Sequence, residues 1–336
     1  MTESVLPVDI LNQGVEAWNA WRSEHRGTTP DLAGADLSDM ELANIDLSEV
    51  DLTGADLFQA NLRKANLKMA VLAGCDATGV DLTGADLYKV DLSRSFLTEA
   101  KLGGAYLAGA DLSDADVRGS NLSEANLSEA NLARTDFSQA DLSGATLARA
   151  RSVGADFSYT NLSDVNAVEL EYGSFRSMEG KFYGVRGLES CYGNALFVRD
   201  ASDQDYLATL RRDIDRTRGP LARRVKSALF RAWSFIDFGR SLTRPTLYAF
   251  CLAMSFGVLY SLDMWLGWGL MDYSGTAHSP FTPFYYSIVT YTTLGFGDIT
   301  PIHWIGEVVI IAEVVLGYLT LGLLLSILAN VVARRS

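Results

Sequence analysis

Cysteine, histidine and proline are scarce: three, three and seven among 336 residues. Cys75, Cys191 and Cys251 show no C-x-x-C spacing, and an odd number excludes a complete disulfide set within one chain. Buried, reduced thiols are the expectation. His25, His278 and His303 fall at no metal-ligand spacing, and no G-x-G-x-x-G, P-loop or nucleophile elbow occurs. Neither an enzymatic activity nor a bound cofactor is therefore expected. The N-terminus, MTESVLPVDILNQGVEAWNAW, lacks a long apolar core and does not read as a signal peptide.

The most telling absence is of basic residues, with no Lys or Arg from Pro245 to Ala333. The net charge of −13 divides as −2 over residues 1–30, −12 over 31–165, +4 over 166–245 and −3 over 246–336. Within the third block, residues 206–245 carry ten Lys/Arg against three Asp. Such asymmetry points to membrane contact.

What is abundant is a repeat of five. Every fifth position from Leu32 to Leu162 gives 27 positions, of which Leu holds 22. Val117, Phe137 and Phe157 add three, and only Ala77 and Ser152 break the set. Asp or Asn precedes in 20 of the 27 cases, and a small residue stands two before. In an α-helix five residues advance by about 500°, which scatters the leucines around the axis. In a straight strand an odd spacing sends them to alternate faces. A solenoid that turns a corner once per repeat buries them all, with Asp/Asn and the following Ser, Thr or Gly at the turn.

The pattern A-[DN]-L-x-x resembles the pentapeptide-repeat family, whose fold is a right-handed, four-sided β-helix. The resemblance implies nearly seven coils, a stack about 33 Å tall at the usual strand spacing. Leu11, Val15, Trp18 and Trp21 fall at helical spacing and read as an amphipathic cap over its first coil. After Leu162 the period decays, and residues 166–205 are expected to be irregular closing coils with Phe175, Phe182, Leu188 and Phe197 as apolar pegs. The Asp rows read as a solvated face. Some members of the family mimic DNA and bind a topoisomerase, but fusion to another domain argues against that here, and no nucleic-acid partner is expected.

Residues 206–244 look helical on both sides of Gly219–Pro220. In the second part Leu221, Val225, Ala228, Leu229, Trp233 and Ile236 form one stripe, opposed by Arg223, Arg224, Lys226 and Arg231. A basic amphipathic helix of this kind suits a lipid interface. Leu247–Gly269 and Trp304–Val332 are then long and apolar enough to cross a bilayer, the first with a single charge at Asp263. By the positive-inside rule both termini are cytoplasmic.

Between the two spans, SPFTPFYYSIVTY is too short to cross and leads into TTLGFGD. Irregular backbone at membrane depth is tolerated only where it lines an enclosed or wet cavity. The arrangement resembles the two-transmembrane potassium channels, with outer helix, pore helix, filter and inner helix. Thr293-Leu294-Gly295-Phe296-Gly297-Asp298 is similar to that family's Thr-Val-Gly-Tyr-Gly-Asp. The resemblance implies that Thr293 gives its hydroxyl and carbonyl to the innermost ion site. Leu294, Gly295 and Phe296 would give carbonyls above it, and Gly297 would line the outer mouth. Asp298 would concentrate cations and hydrogen-bond Tyr286 of the pore helix. Phe296 cannot make the hydroxyl bond of the tyrosine it replaces.

In the inner helix Gly317 stands where the family commonly has its hinge glycine; a close-packing role is equally open, and Gly322 is a second candidate. Glu313 is an acid in mid-span, with three placements open: lining the pore, pairing with a pore-helix hydroxyl, or sitting protonated against the outer helix.

The expected chain is multidomain: a helical cap (1–30), a pentapeptide-repeat β-helix (31–165), closing coils (166–205), a basic amphipathic connector (206–244) and an all-α pore domain (245–336). The resemblance implies a homotetrameric potassium channel of the cell membrane, surrounded by lipid, with K+ as the transported ion and no cofactor. The cytoplasmic β-helix would regulate it or bind an unidentified protein partner. The rival is a membrane-anchored interaction scaffold with a non-selective or non-conducting pore, but an anchor needs neither a second span nor TLGFG.

Overall fold

The computed structural model describes residues 7–25, 27–173, 181–235, 242–274, 279–292 and 299–333. These fall into two compact units, Met1–Asp213 and Ile214–Ser336.

The first unit is a four-sided β-helix. Parallel bridges join Asp31 to Asp51, Asp36 to Asp56 and so on to Arg151 and Glu171, each pairing residues twenty apart. One coil is thus four five-residue faces. The amide of Leu32 donates to the Asp51 carbonyl at 2.7 Å, and the corner closes through the Ala35 amide and the Leu32 carbonyl at 3.0 Å. The residue before each corner's end is left-handed, with φ 66° at Gly34, 57° at Asp39 and 62° at Asn44. A side chain there costs on the order of 1 kcal/mol, which the coil-to-coil ladder offsets.

The Asp and Asn rows have a structural task. Oδ1 of Asp51 accepts from the Thr53 amide at 2.9 Å and from its hydroxyl at 2.6 Å, and Asp111, Asp136 and Asn121 hold the amide two residues on in the same way. Each closes a turn over its own backbone. Asn also relieves repulsion between stacked carboxylates: Asn131 Nδ2 donates to Asp111 Oδ1 at 3.0 Å and Asn161 Nδ2 to Asp141 Oδ1 at 2.9 Å. Inside, the leucines stack in register, and Phe137, Phe157 and Phe182 continue the column with ring centroids 5.4 Å apart at each step. Where a hydroxyl replaces an inward alanine, it bonds to an earlier carbonyl, as Thr160 does to Phe137 at 2.7 Å.

Both ends are sealed. Ahead of the first coil, α1 (Pro7–Leu11) and α2 (Val15–Glu24) are separate helices rather than one, because the chain turns at Gly14 with φ 103°. Leu11 and Trp18 are buried, and Trp18 Nε1 donates to the Asp46 carbonyl at 2.6 Å. At the other end the ladder offset grows from twenty to twenty-five, with Asp156 paired to Lys181 and Asn161 to Arg186. The tail is thus more regular than the decayed sequence period suggests, since an insertion hides the register. Of the expected pegs, Phe182, Leu188 and Phe197 are buried, while Phe175 lies outside the described residues.

Helix α3 (Ala195–Arg216) begins inside the stretch expected to be irregular. Asn194 caps it, accepting the Phe197 amide on Oδ1 at 3.0 Å, and Phe197 closes the column with its ring 5.6 Å from Phe182. Arg212 lies 3.4 Å above the Tyr183 ring and donates to the Tyr159 hydroxyl at 2.9 Å.

In the second unit α4 (Pro220–Phe235) leaves Leu221, Val225 and Leu229 exposed. The apolar helix α5 (Thr243–Leu266) ends at Gly267, left-handed at φ 67°, whose amide returns to the Asp263 carbonyl. Next come β1 (Met271–Asp272), α6 (Thr282–Tyr291), β2 (Thr300–Pro301) and α7 (Trp304–Ala333). Strands β1 and β2 pair antiparallel, Met271 with Pro301 and Asp272 with Thr300. Helices α5 and α7 have the length and apolarity of membrane spans.

Cys75 is buried, which pushes its thiol up to about 12, and Cys191 is half-buried. Cys251, expected to be buried, is exposed on α5.

Candidate functional site

The site is built where α6 wedges between α5 and α7. Its ten residues extend about 15 Å, half the hydrocarbon thickness of a bilayer. The sequence makes it a short helix: Pro283 pre-sets its first turn and glycines follow its end. The filter motif itself, Thr293, Leu294, Gly295, Phe296, Gly297 and Asp298, lies outside the described residues. The structure shows instead the frame on either side of it.

Before the motif, the C-terminal end of α6 is held against α7. Tyr291 Oη and Thr320 Oγ1 are 2.8 Å apart. A Cβ added at Gly317 would fall well inside van der Waals contact with the Tyr291 carbonyl oxygen, whereas one added at Gly322 would meet nothing within 4 Å among the described residues. Gly317 therefore permits a backbone-to-backbone approach. Both glycines lie within the single helix α7.

After the motif, the chain is fastened from two directions. Tyr286 Oη donates to the Ile299 carbonyl at 3.1 Å, so it reaches the residue next to Asp298. The pairing of β2 with β1 ties the same segment to the loop following α5, and the Ile302 amide donates to the Leu270 carbonyl at 3.0 Å. Gly306 makes that approach possible, because a Cβ there would collide with the Leu270 carbonyl.

Glu313 is fully buried and joins all three helices. Tyr260 Oη of α5 donates to its Oε2 at 2.6 Å, and Ser287 Oγ of α6 lies 2.5 Å from its Oε1. Ser287 Oγ also lies 2.6 Å from the Ala253 carbonyl oxygen of α5. The second buried acid, Asp263, accepts from the Leu270 and Met271 amides at 2.9 and 3.0 Å and shares the Tyr273 hydroxyl with the Tyr260 carbonyl.

Tyr286, Glu313 and Gly317 thus gather around α6, while Gly322 stands apart. Sequence reasoning missed Tyr260, Ser287, Gly257 and Gly306. Polar residues in otherwise apolar spans were the available signal for the first two. For Gly257, a Cβ would come within 2.5 Å of the Phe284 ring, a crowding that no local pattern announces.

Two apolar helices around a short third, with loops strapped together at one end, define the class: a membrane protein with an ion-channel domain. The ion-channel family model matches residues 248–334, and the pentapeptide-repeat model matches in eight copies between residues 31 and 168. The first unit thus carries pentapeptide repeats and the second an ion-channel domain.

Among solved structures it is similar to HetL, a pentapeptide repeat protein involved in heterocyst differentiation regulation from the cyanobacterium Nostoc sp. strain PCC 7120. Identity is 28%, covering 48% of this chain and 84% of that one, with a TM-score of 0.24. QnrB1, a plasmid-mediated fluoroquinolone resistance protein, is similar at 23% identity over 47% and 77% of the two chains, with a TM-score of 0.37. Another pentapeptide repeat protein, from Nostoc PCC 7120, shares 31% identity over 29% of this chain and 84% of its own, with a TM-score of 0.17. No curated protein matches the sequence.

Proposed function

We propose that the ion-channel domain is potassium-selective and works as a homotetramer in the cell membrane, passing K+ down its electrochemical gradient. One observation carries the reading: α6 is too short to cross a bilayer and ends at Tyr291, two residues before Thr293-Leu294-Gly295-Phe296-Gly297-Asp298 begins. A helix C-terminus carries about half a negative charge, which favours a cation beyond it. Carbonyls of Thr293 to Gly297 then replace the ion's hydration shell, and Asp298 draws cations to the mouth. One chain supplies one such loop, so a closed ring takes four copies. The exposed apolar surface of α7, including Ile311, Val315 and Leu319, supports an environment of lipid and neighbouring copies.

The ten Lys/Arg ahead of the first span, with Arg334 and Arg335 after the second, favour cytoplasmic termini. On this reading the repeat domain is a cytoplasmic module for gating, assembly or an unidentified protein partner. Deleting residues 1–200 is then expected to change open probability; unaltered gating would count against it.

The decisive test is reconstitution into liposomes with potassium and sodium flux measured in parallel. Potassium flux is expected to exceed sodium flux, and Gly295→Ala to abolish the difference by adding a Cβ where carbonyls must turn inward. Equal flux of the two ions through the unaltered chain would sink the claim.

A further inference from the structure

Glu313, Ser287 and the Ala253 carbonyl contain a hydrogen-bond count that closes in only one way. Ser287 has a single hydroxyl proton but two oxygen neighbours, at 2.5 and 2.6 Å. Distances this short each need a proton between the oxygens. The longer pair at Tyr273, both 3.0 Å, is different, because one proton can be shared there. The Ala253 carbonyl can only accept, so the Ser287 proton points to it. The proton between Ser287 Oγ and Glu313 Oε1 must then come from Glu313.

Electrostatics leads to the same state. Glu313, Tyr260 and Ser287 are fully buried. An ionised carboxylate there would need a cation, and the sequence offers no Lys or Arg from Pro245 to Ala333. His303 is exposed, and His278 lies outside the described residues. Among the described residues, the titratable groups around Glu313 are Tyr260 from α5, with Asp263 further along that helix and Tyr273 bonded to it, and Tyr286 from α6, its ring 5.3 Å from that of Tyr260. On its own helix Glu307 is exposed. All these groups are neutral or acidic.

We propose that Glu313 is a positioning residue that works as a neutral carboxylic acid. Its hydroxyl donates to Ser287, Ser287 donates to the Ala253 carbonyl, and Tyr260 donates back to its second oxygen. This chain of three bonds pins α5, α6 and α7 at one point and so fixes the helix that leads into the filter motif. No charge needs to be stabilised, which reconciles a mid-span acid with a segment that carries no Lys or Arg. The consequence for conduction rests on the channel reading above; the protonation does not.

Two measurements on the full chain separate these. In the infrared spectrum at neutral pH, wild type minus Glu313→Gln should show a protonated-carboxyl carbonyl stretch, and Ser287→Ala should shift that stretch by removing its acceptor. A difference spectrum with carboxylate bands alone overturns the proposal whether or not the chain conducts. In liposomes, Glu313→Gln, which can donate and accept in the same places, should stay roughly within twofold of wild-type ion flux. Glu313→Ala, leaving the buried Tyr260 hydroxyl without its acceptor and Ser287 Oγ without its donor, should lose about tenfold or more. Raising the pH should reduce flux through wild type before it reduces flux through Glu313→Gln. If Glu313→Gln is as defective as Glu313→Ala while wild type conducts, the neutral-acid role is wrong.

Discussion

Replacing Gly317 by alanine adds one methyl group where α7 meets the Tyr291 carbonyl. Because the atom it meets is backbone, no side-chain rotation can relieve the clash. The helices must part by on the order of 1 Å to restore an ordinary carbon–oxygen contact. Overpacking of this kind costs about 1–3 kcal/mol, set against a gain of up to about 1 kcal/mol in helix propensity. Gly322→Ala in the same helix gains the propensity without the clash, since nothing among the described residues lies within 4 Å.

The two substitutions should therefore move in opposite directions, Gly317→Ala destabilising and Gly322→Ala neutral or stabilising. Thermal unfolding in detergent, read through helical circular dichroism, measures the difference. Ion flux should fall in Gly317→Ala, because the displaced carbonyl lies two residues before Thr293. Equal stability and equal flux for the two variants would refute the close approach and leave Gly317 free to serve only as a hinge.

Phe157→Ala empties the centre of the aromatic column and should destabilise the β-helix by about 3–5 kcal/mol in urea titrations. Asn194→Ala removes the α3 cap and should cost about 1 kcal/mol in the same assay. The carboxyls of Asp36 and Asp51 are held below the usual range chiefly by the hydroxyls of Ser38 and Thr53, with the backbone amides adding to it. A carboxylate whose folded pKa is depressed contributes stability above its unfolded value, about 3.9, and loses it as pH falls through the folded one. The β-helix melting temperature should therefore drop in acid below about pH 4; a flat profile there would contradict the turn-capping role.

Much of the first unit was legible in the sequence because a period of five encodes inside, outside and corner in each repeat. Ala77 and Ser152, the two exceptions among the leucine positions, are buried like the rest, so the register outweighs the residue type. The ends were harder to read. Trp18 announced itself by helical spacing, but Asn194 opens a polar helix whose start the fading repeat conceals. In the second unit the two spans and the short helix between them were plain from apolar length. The bonds that hold them were not, because Tyr260 and Glu313 are 53 residues apart and meet only after three helices pack. Strands β1 and β2 are two residues each, too short for any alternation to reveal.

The parallel ladder has one more consequence. Among the described residues a coil pairs only with the coil before it and the coil after it, and the widening from twenty to twenty-five residues near Lys181 leaves the pairing on either side intact. Gene duplication of any one turn between the two caps would therefore lengthen the domain by about 4.8 Å and leave its ends unchanged. The repeat region is a ruler graduated in single coils, and natural variation can adjust the distance between its caps without redesigning either one.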